Sequence, residues 1–170
     1  MSDSPAAPTL KLEIGSDPNL LCCVRALTNQ LALRIGFTDK ESGRITLAVD
    51  EALCNVINHG YRRKRDGRIW ITVWEVDGAP PAIRIMLEDV GQQVEPATIR
   101  SRDLDDIRPG GLGVHIIEQI MDSVIYEKRP EGGMRLTMTK RASSAAADRR
   151  EACCAEAPQP HAHKAGERHA

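Results

Sequence analysis

The chain is poor in aromatic residues: among 170 there are two Trp, two Tyr and one Phe. Its core must therefore be aliphatic, and stacking of bases along a single-stranded nucleic acid is a poor binding mode for it. It also lacks an excess of charge of either sign. With 23 Lys+Arg against 24 Asp+Glu the net charge is −1, which supplies no general attraction to a polyanion or an anionic surface. No apolar run approaches the roughly 18 to 20 residues that span a bilayer, and the first eight residues lack a basic stretch followed by an apolar one. A soluble, unexported protein is expected. The five cysteines stand as Cys22-Cys23, Cys54 and Cys153-Cys154, neither a Cys-x-x-Cys metal spacing nor an even disulfide set, so a reducing cytoplasm is the expected compartment.

What is present suffices for one globular domain. Residues 1–8 and the Ala/His-rich residues 142–170 contain almost nothing to bury, so disordered flanks are expected around a domain at 9–141. His161, His163 and His169 beside the tail cysteines have no regular metal spacing. Leu10, Leu12 and Ile14 alternate with Lys11 and Glu13, as in a half-buried strand. Ser16-Asp17-Pro18 then opens a helix with an apolar stripe from Leu20 to Ile35, closing at Gly36. Thr38 to Glu41 forms a second start signal, for a helix running to Gly60. Residues 69–76 and 82–89 read as two antiparallel strands, 112–121 as a third helix, and 124–128 with 134–140 as a closing hairpin. The order β-α-α-β-β-α-β-β predicts an α+β two-layer sandwich: a mixed, mostly antiparallel sheet with helices on one face.

Three places within this plan carry chemistry. Glu51, Asn55 and His59 recur every four residues and share one side of the second helix. Asp89 ends a strand and is followed by Gly91, which lets a ligand ring approach the backbone. Gly110, Gly111 and Gly113 surround Leu112 at the start of the third helix, where amide groups and a helix N-terminus meet. Each alone has an ordinary reading, as the wet edge of a helix, a turn former or a flexible connector. Together they suggest an ATP site on a scaffold other than a phosphate loop, since neither G-x-x-x-x-G-K-[ST] nor G-x-G-x-x-G occurs. Arg62, Arg63, Lys64, Arg65 and Arg68 form a basic run, more often a solvated loop than a docking patch.

Residues 47–61 (LAVDEALCNVINHGY), 88–91 (EDVG), 108–122 (RPGGLGVHIIEQIMD) and 133–140 (GMRLTMTK) resemble the sequence boxes of the GHKL (Bergerat-fold) ATPase superfamily. More closely, they resemble the anti-sigma factor serine/threonine kinases of bacterial partner-switching systems. The resemblance implies ATP and Mg²⁺ as cofactors, with Asn55 ligating the metal and Glu51 acting as general base on the attacking hydroxyl. It implies that Asp89 accepts the adenine amino group, that Gly91 admits the ring, and that Thr137 stands near the adenine, directly or through water. Gly111, Leu112 and Gly113 would wrap the phosphates under a lid at 92–110, and His59 would touch a phosphate or orient Asn55. Arg108 would reach the γ-phosphate or the partner. Asp50 is a second carboxylate beside Glu51, but the four-residue step to Asn55 favours Glu51.

The implied function is that of an anti-sigma factor that phosphorylates a STAS-type anti-anti-sigma protein and otherwise sequesters a sigma factor, without direct contact to nucleic acid or membrane. The resemblance also admits a homodimer. Gly91-Gln-Gln-Val94 departs from the family pattern, which in many relatives is Asp-x-Gly-x-Gly or continues with an aromatic. That departure motivates the alternative, a non-catalytic regulatory module acting by protein binding.

Overall fold

The computed structural model describes residues 7–99 and 112–143. The expected disordered N-terminus up to residue 6, the lid from residue 100, Arg108, Gly110, Gly111 and the tail from residue 144 lie outside the described residues. The elements run in the expected order: β1 (Leu10–Gly15), α1 (Leu21–Ile35), α2 (Asp39–Asn55), β2 (Arg68–Val76), β3 (Ala82–Asp89), α3 (Leu112–Ile120), β4 (Ser123–Lys128) and β5 (Met134–Arg141). The strands form one sheet in the order β1-β2-β3-β5-β4, and every pairing in it is antiparallel.

Local chemistry explains the helix ends. Asp17 Oδ1 accepts from Asn19 N at 3.0 Å and caps a short 3-10 turn, Pro18–Leu20, that leads into α1. Gly36, at φ 113°, ends α1 in the left-handed conformation that a side chain would resist. Thr38 and Glu41 form a full capping box on α2. Glu41 also accepts from Ser143 N at 2.8 Å, tying the end of the domain to the start of that helix.

Alternation decides which face of the sheet is covered. Ile69, Ile71 and Val73 of β2, Ile83, Ile85 and Leu87 of β3, and Leu136 and Met138 of β5 are buried. They pack in one core with Ile35, Ile45, Val49, Leu53 and Ile117 of the helices. Among the described residues Phe37 is the one aromatic in that buried set, as the composition requires.

The second helix departs from expectation at its end. The α-helix stops at Asn55, and Val56–Gly60 form a π-helical turn, with Tyr61 N donating to Val56 O at 2.9 Å. The wider turn lays Gly60 against the end of β3: a Cβ on Gly91 would fall 2.7 Å from the Gly60 carbonyl, and Gln92 N donates to Gly60 O at 2.9 Å. Tyr61 pins the following loop, its hydroxyl donating to Arg68 O and accepting from Val90 N. Ser16 holds the same loop, donating to Lys64 O and accepting from Gly67 N. The basic run is therefore an anchored loop in which Arg62 bonds Gln92 and Arg65 and Arg68 pair with Asp17 and Glu13. Among the described residues no helix is long and apolar enough to cross a membrane.

Leu53 is wholly buried in the last turn of α2. Leu53→Ala is expected to lower stability by about 2–5 kcal/mol, read from the midpoint of urea unfolding.

Candidate functional site

A cavity of about 360 Å³ lies between the helices and the β3, β4 and β5 end of the sheet, within the range of small-molecule sites. α2 and its π turn contribute Asn55, His59 and Gly60 to its wall, and the sheet contributes Leu87, Asp89, Tyr126, Met134 and Leu136. Gly113 and Val114 of α3 and Gln92, Val94, Thr98 and Ile99 after β3 add to the enclosure. The structure thus brings together Asn55, His59, Asp89 and Gly113, which lie up to 58 positions apart in the sequence.

Glu51 stands one turn before Asn55 and is not part of the wall, but both face the start of α3. A Cβ on Gly113 would strike Glu51 Oε2 at 2.8 Å and would touch the Asn55 amide at 3.4 Å and 3.5 Å. The absence of a side chain at 113 leaves the room above this carboxylate and amide pair. Asp50 is turned elsewhere, its carboxylate 2.9 Å from Arg25 of α1, so of the two carboxylates it is Glu51 that faces the start of α3. Among the described residues no cluster of three or more His, Cys, Asp or Glu could cage a metal. The Asn55 amide oxygen fits a different mode, in which a hard cation such as Mg²⁺ takes one protein oxygen and completes its shell with phosphate oxygens and water.

Asp89 is 3% exposed. Its Oδ1 accepts from Gly91 N at 2.7 Å and from Met134 N at 3.4 Å, which leaves Oδ2 as the acceptor for a ligand. Burial pushes this carboxyl above the usual aspartate range, against the opposing pull of those two N–H groups and of Arg129. Gly91 does not line the cavity; it is the close contact with Gly60 that leaves no space for a side chain there. The departure Gln92-Gln93 has structural partners. Gln92 accepts from Arg62, and Gln93 donates to Arg129 O at 2.7 Å and Gly133 O at 3.1 Å, fastening the segment after β3 to the β4–β5 turn.

Two expected residues stand differently. Thr137 is not at the cavity: it pairs with Met86 and Ile125, whose side chains share the sheet face opposite the helices, while its neighbour Leu136 pairs with Leu87 and Tyr126 inside. The alternation of Leu136 and Met138 with Thr137 and Thr139 already carried this phase, because one face of a strand takes every second residue. Leu112 is 55% exposed and lies outside the wall. Tyr126, by contrast, was not expected. Its hydroxyl is buried without a protein partner among the described residues, and burial, with Glu118 nearby, pushes it up to about 12. No local signal marks it; only the sheet order brings β4 to the cavity.

The glycines around the site separate by what a methyl group would strike. At Gly91 and Gly133 it meets backbone, of Gly60 and of Asp89 respectively, whereas at Gly113 it meets the flexible end of Glu51. Gly91→Ala and Gly133→Ala are expected to lower stability by about 1–3 kcal/mol or more. Gly113→Ala is expected to cost less than either, with the ranking read from parallel urea titrations.

The family profile of the histidine kinase-like ATPase domain matches residues 14–140. The chain is similar to the serine-protein kinase RsbW of Staphylococcus aureus (strain bovine RF122 / ET3-1), 27% identical over 139 residues that cover 77% of this chain and 85% of that protein. It is similar also to the serine-protein kinase RsbW of Bacillus subtilis (strain 168), 25% identical over 143 residues, 79% of this chain and 86% of that protein. Among solved structures, that of the RsbU and RsbW domains of Rv1364c from Mycobacterium tuberculosis superposes with a TM-score of 0.54 at 22% identity. It covers 79% of this chain and 32% of that one, and shows a shared fold. The matched stretch begins in β1 and ends in β5, so it contains every element that walls the cavity, and the chain belongs to the histidine kinase-like ATPase domain family.

Proposed function

We propose that this chain transfers the γ-phosphoryl group of ATP to a serine or threonine of a STAS-type anti-anti-sigma protein, and otherwise sequesters a sigma factor. The observation that carries this reading is the Glu51 carboxylate beside the Asn55 amide under Gly113, at one side of a cavity that Asp89 lines on another. The likeness to proteins named serine-protein kinase RsbW supports it.

In this reading Asp89 Oδ2 accepts an N–H of the adenine 6-amino group, while Leu87, Met134 and Leu136 supply apolar wall for the ring. Asn55 would hold Mg²⁺, which when bound neutralises charge on the phosphates. Glu51 takes the proton of the incoming hydroxyl. The hydroxyl oxygen forms its bond to the γ-phosphorus, and the bond from that phosphorus to the β–γ bridging oxygen breaks, its electron pair leaving on ADP. Phosphoryl transfer depends mainly on position and electrostatics, so a carboxylate one helical turn from the metal ligand is suited to the role of base. Gln92, which accepts from Arg62, and Gln93, bonded to the β4–β5 turn, leave Asp89 Oδ2 free for the adenine, which supports the catalytic reading over a non-catalytic module.

The test is to combine purified protein, ATP and candidate partner proteins and to follow the partner's mass. Wild type is expected to add one phosphate. Glu51→Gln should slow transfer by roughly 10²- to 10⁴-fold with ATP affinity unchanged; an unchanged rate would favour the non-catalytic module. A second expectation concerns pH. Because Oδ1 already accepts two N–H groups, protonation of Asp89 would place its hydrogen on Oδ2 and remove the acceptor for the adenine N–H, and its raised pKa means that it takes up a proton at a higher pH than an ordinary aspartate. Calorimetric ATP affinity should therefore fall on acidification while still above the usual aspartate range. This component should be missing in Asp89→Asn.

A further inference from the structure

The recognition carboxylate is held from behind by a residue that never enters the cavity. Arg129 lies in the turn between β4 and β5, 40 positions from Asp89, and its Nη1 donates to the Asp89 main-chain carbonyl at 2.7 Å. Its side chain is 15% exposed. Glu88 Oε1 lies 3.4 Å from Arg129 Nε, which forms no hydrogen bond, and the guanidinium stacks over Trp70 with 5.4 Å to the ring centroid. A partly buried cation held by a carboxylate and an aromatic face has little freedom to turn. The turn that carries it is closed by Arg129 N to Gly133 O, and Gln93 Nε2 spans the Arg129 and Gly133 carbonyls. The other contacts of this turn converge on the same residue: Met134 N reaches Asp89 Oδ1, and Gly133 lies so close to the Asp89 carbonyl that no side chain fits between them.

We infer that Arg129 is a positioning residue for base recognition: by fixing the peptide that follows the Asp89 side chain, it aims Asp89 Oδ2 into the cavity. This rests on the reading of Asp89 as the acceptor of the adenine amino group. A charge-assisted bond to a carbonyl restrains the peptide plane, and the carboxylate direction is set by that plane together with the two N–H groups on Oδ1. Arg135 supplies an internal comparison. It bonds the same Glu88 oxygen through Nε and Nη2, at 2.9 Å and 2.8 Å, but makes no bond to Asp89.

The experiment compares binding of ATP and inosine triphosphate, which carries an oxygen in place of the 6-amino group, to the full chain and its variants by calorimetry. Wild type should prefer ATP. Arg129→Met should weaken ATP by roughly ten- to a hundredfold, the effect of losing one hydrogen bond to a charged group, while binding of inosine triphosphate changes little. The preference therefore collapses. Arg135→Met should keep it. In phosphorylation assays Arg129→Met should raise KM for ATP and leave kcat at saturation near the wild-type value. Arg129→Lys, with one ammonium in place of the fork, should give an intermediate preference, and it carries the test should Arg129→Met not fold. A wild-type protein without preference for ATP would sink the reading of Asp89 itself. A wild-type preference retained in the Arg129 variants, or lost equally in Arg135→Met, would overturn the role of Arg129 alone.

Discussion

A carboxylate leaves water only where donors replace it, and Asp89 is almost wholly buried at the end of β3. Its donors come from two directions: Gly91 N two residues on and Met134 N from β5. Its main-chain carbonyl takes a third donor, Arg129. Each arrangement demands close approach, and the glycines lie where approach is closest, Gly91 on Gly60 and Gly133 on Asp89. The π turn after Asn55, the tight β4–β5 turn and the sheet order β3-β5-β4 are all needed to bring these groups around one residue. The raised pKa of Asp89 is the residue of this bargain: the donors offset the desolvation in part.

The second constraint is the placement of α2. A capping box at Thr38 and Glu41 starts the helix, and buried Ile45, Val49, Ala52 and Leu53 press one side of it onto the sheet. The opposite phase then carries Glu51 and Asn55 toward α3, and Asp50 toward Arg25 of α1. Gly113 lets α3 come down over that pair. A single helix thus sets the register of the Glu51 and Asn55 side of the cavity, while the end of β3 sets that of the Asp89 side. The distance between the two is fixed by an aliphatic core with little aromatic bulk.

Much of this was legible in the sequence. The element order, the capping signals at Asp17 and Thr38 and the left-handed Gly36 depend on residues within a turn or two of each other. The resemblance to a nucleotide-binding family rested on whole boxes and pointed to Asn55, His59, Asp89 and Gly113, which the structure gathers at one cavity. It misled at Thr137, where the box carried no information about strand phase and the alternation of Leu136 and Met138 did. The π turn was missed because the apolar pattern of Val56 and Ile57 suits an α-helix equally well, and the contact that accompanies it, Gly60 on Gly91, joins residues 31 positions apart.

The sequence by itself determined the layers and the helix starts set by caps, since these follow from periodicity and from bonds between near neighbours. Only the tertiary structure decided that Tyr126 walls the cavity, that Gln92 and Gln93 serve as fasteners, and that Arg129 grips the Asp89 peptide from 40 positions away. Those contacts depend on which strands become neighbours and how closely their turns approach. That is settled by packing of the whole core, and no short window of sequence contains it.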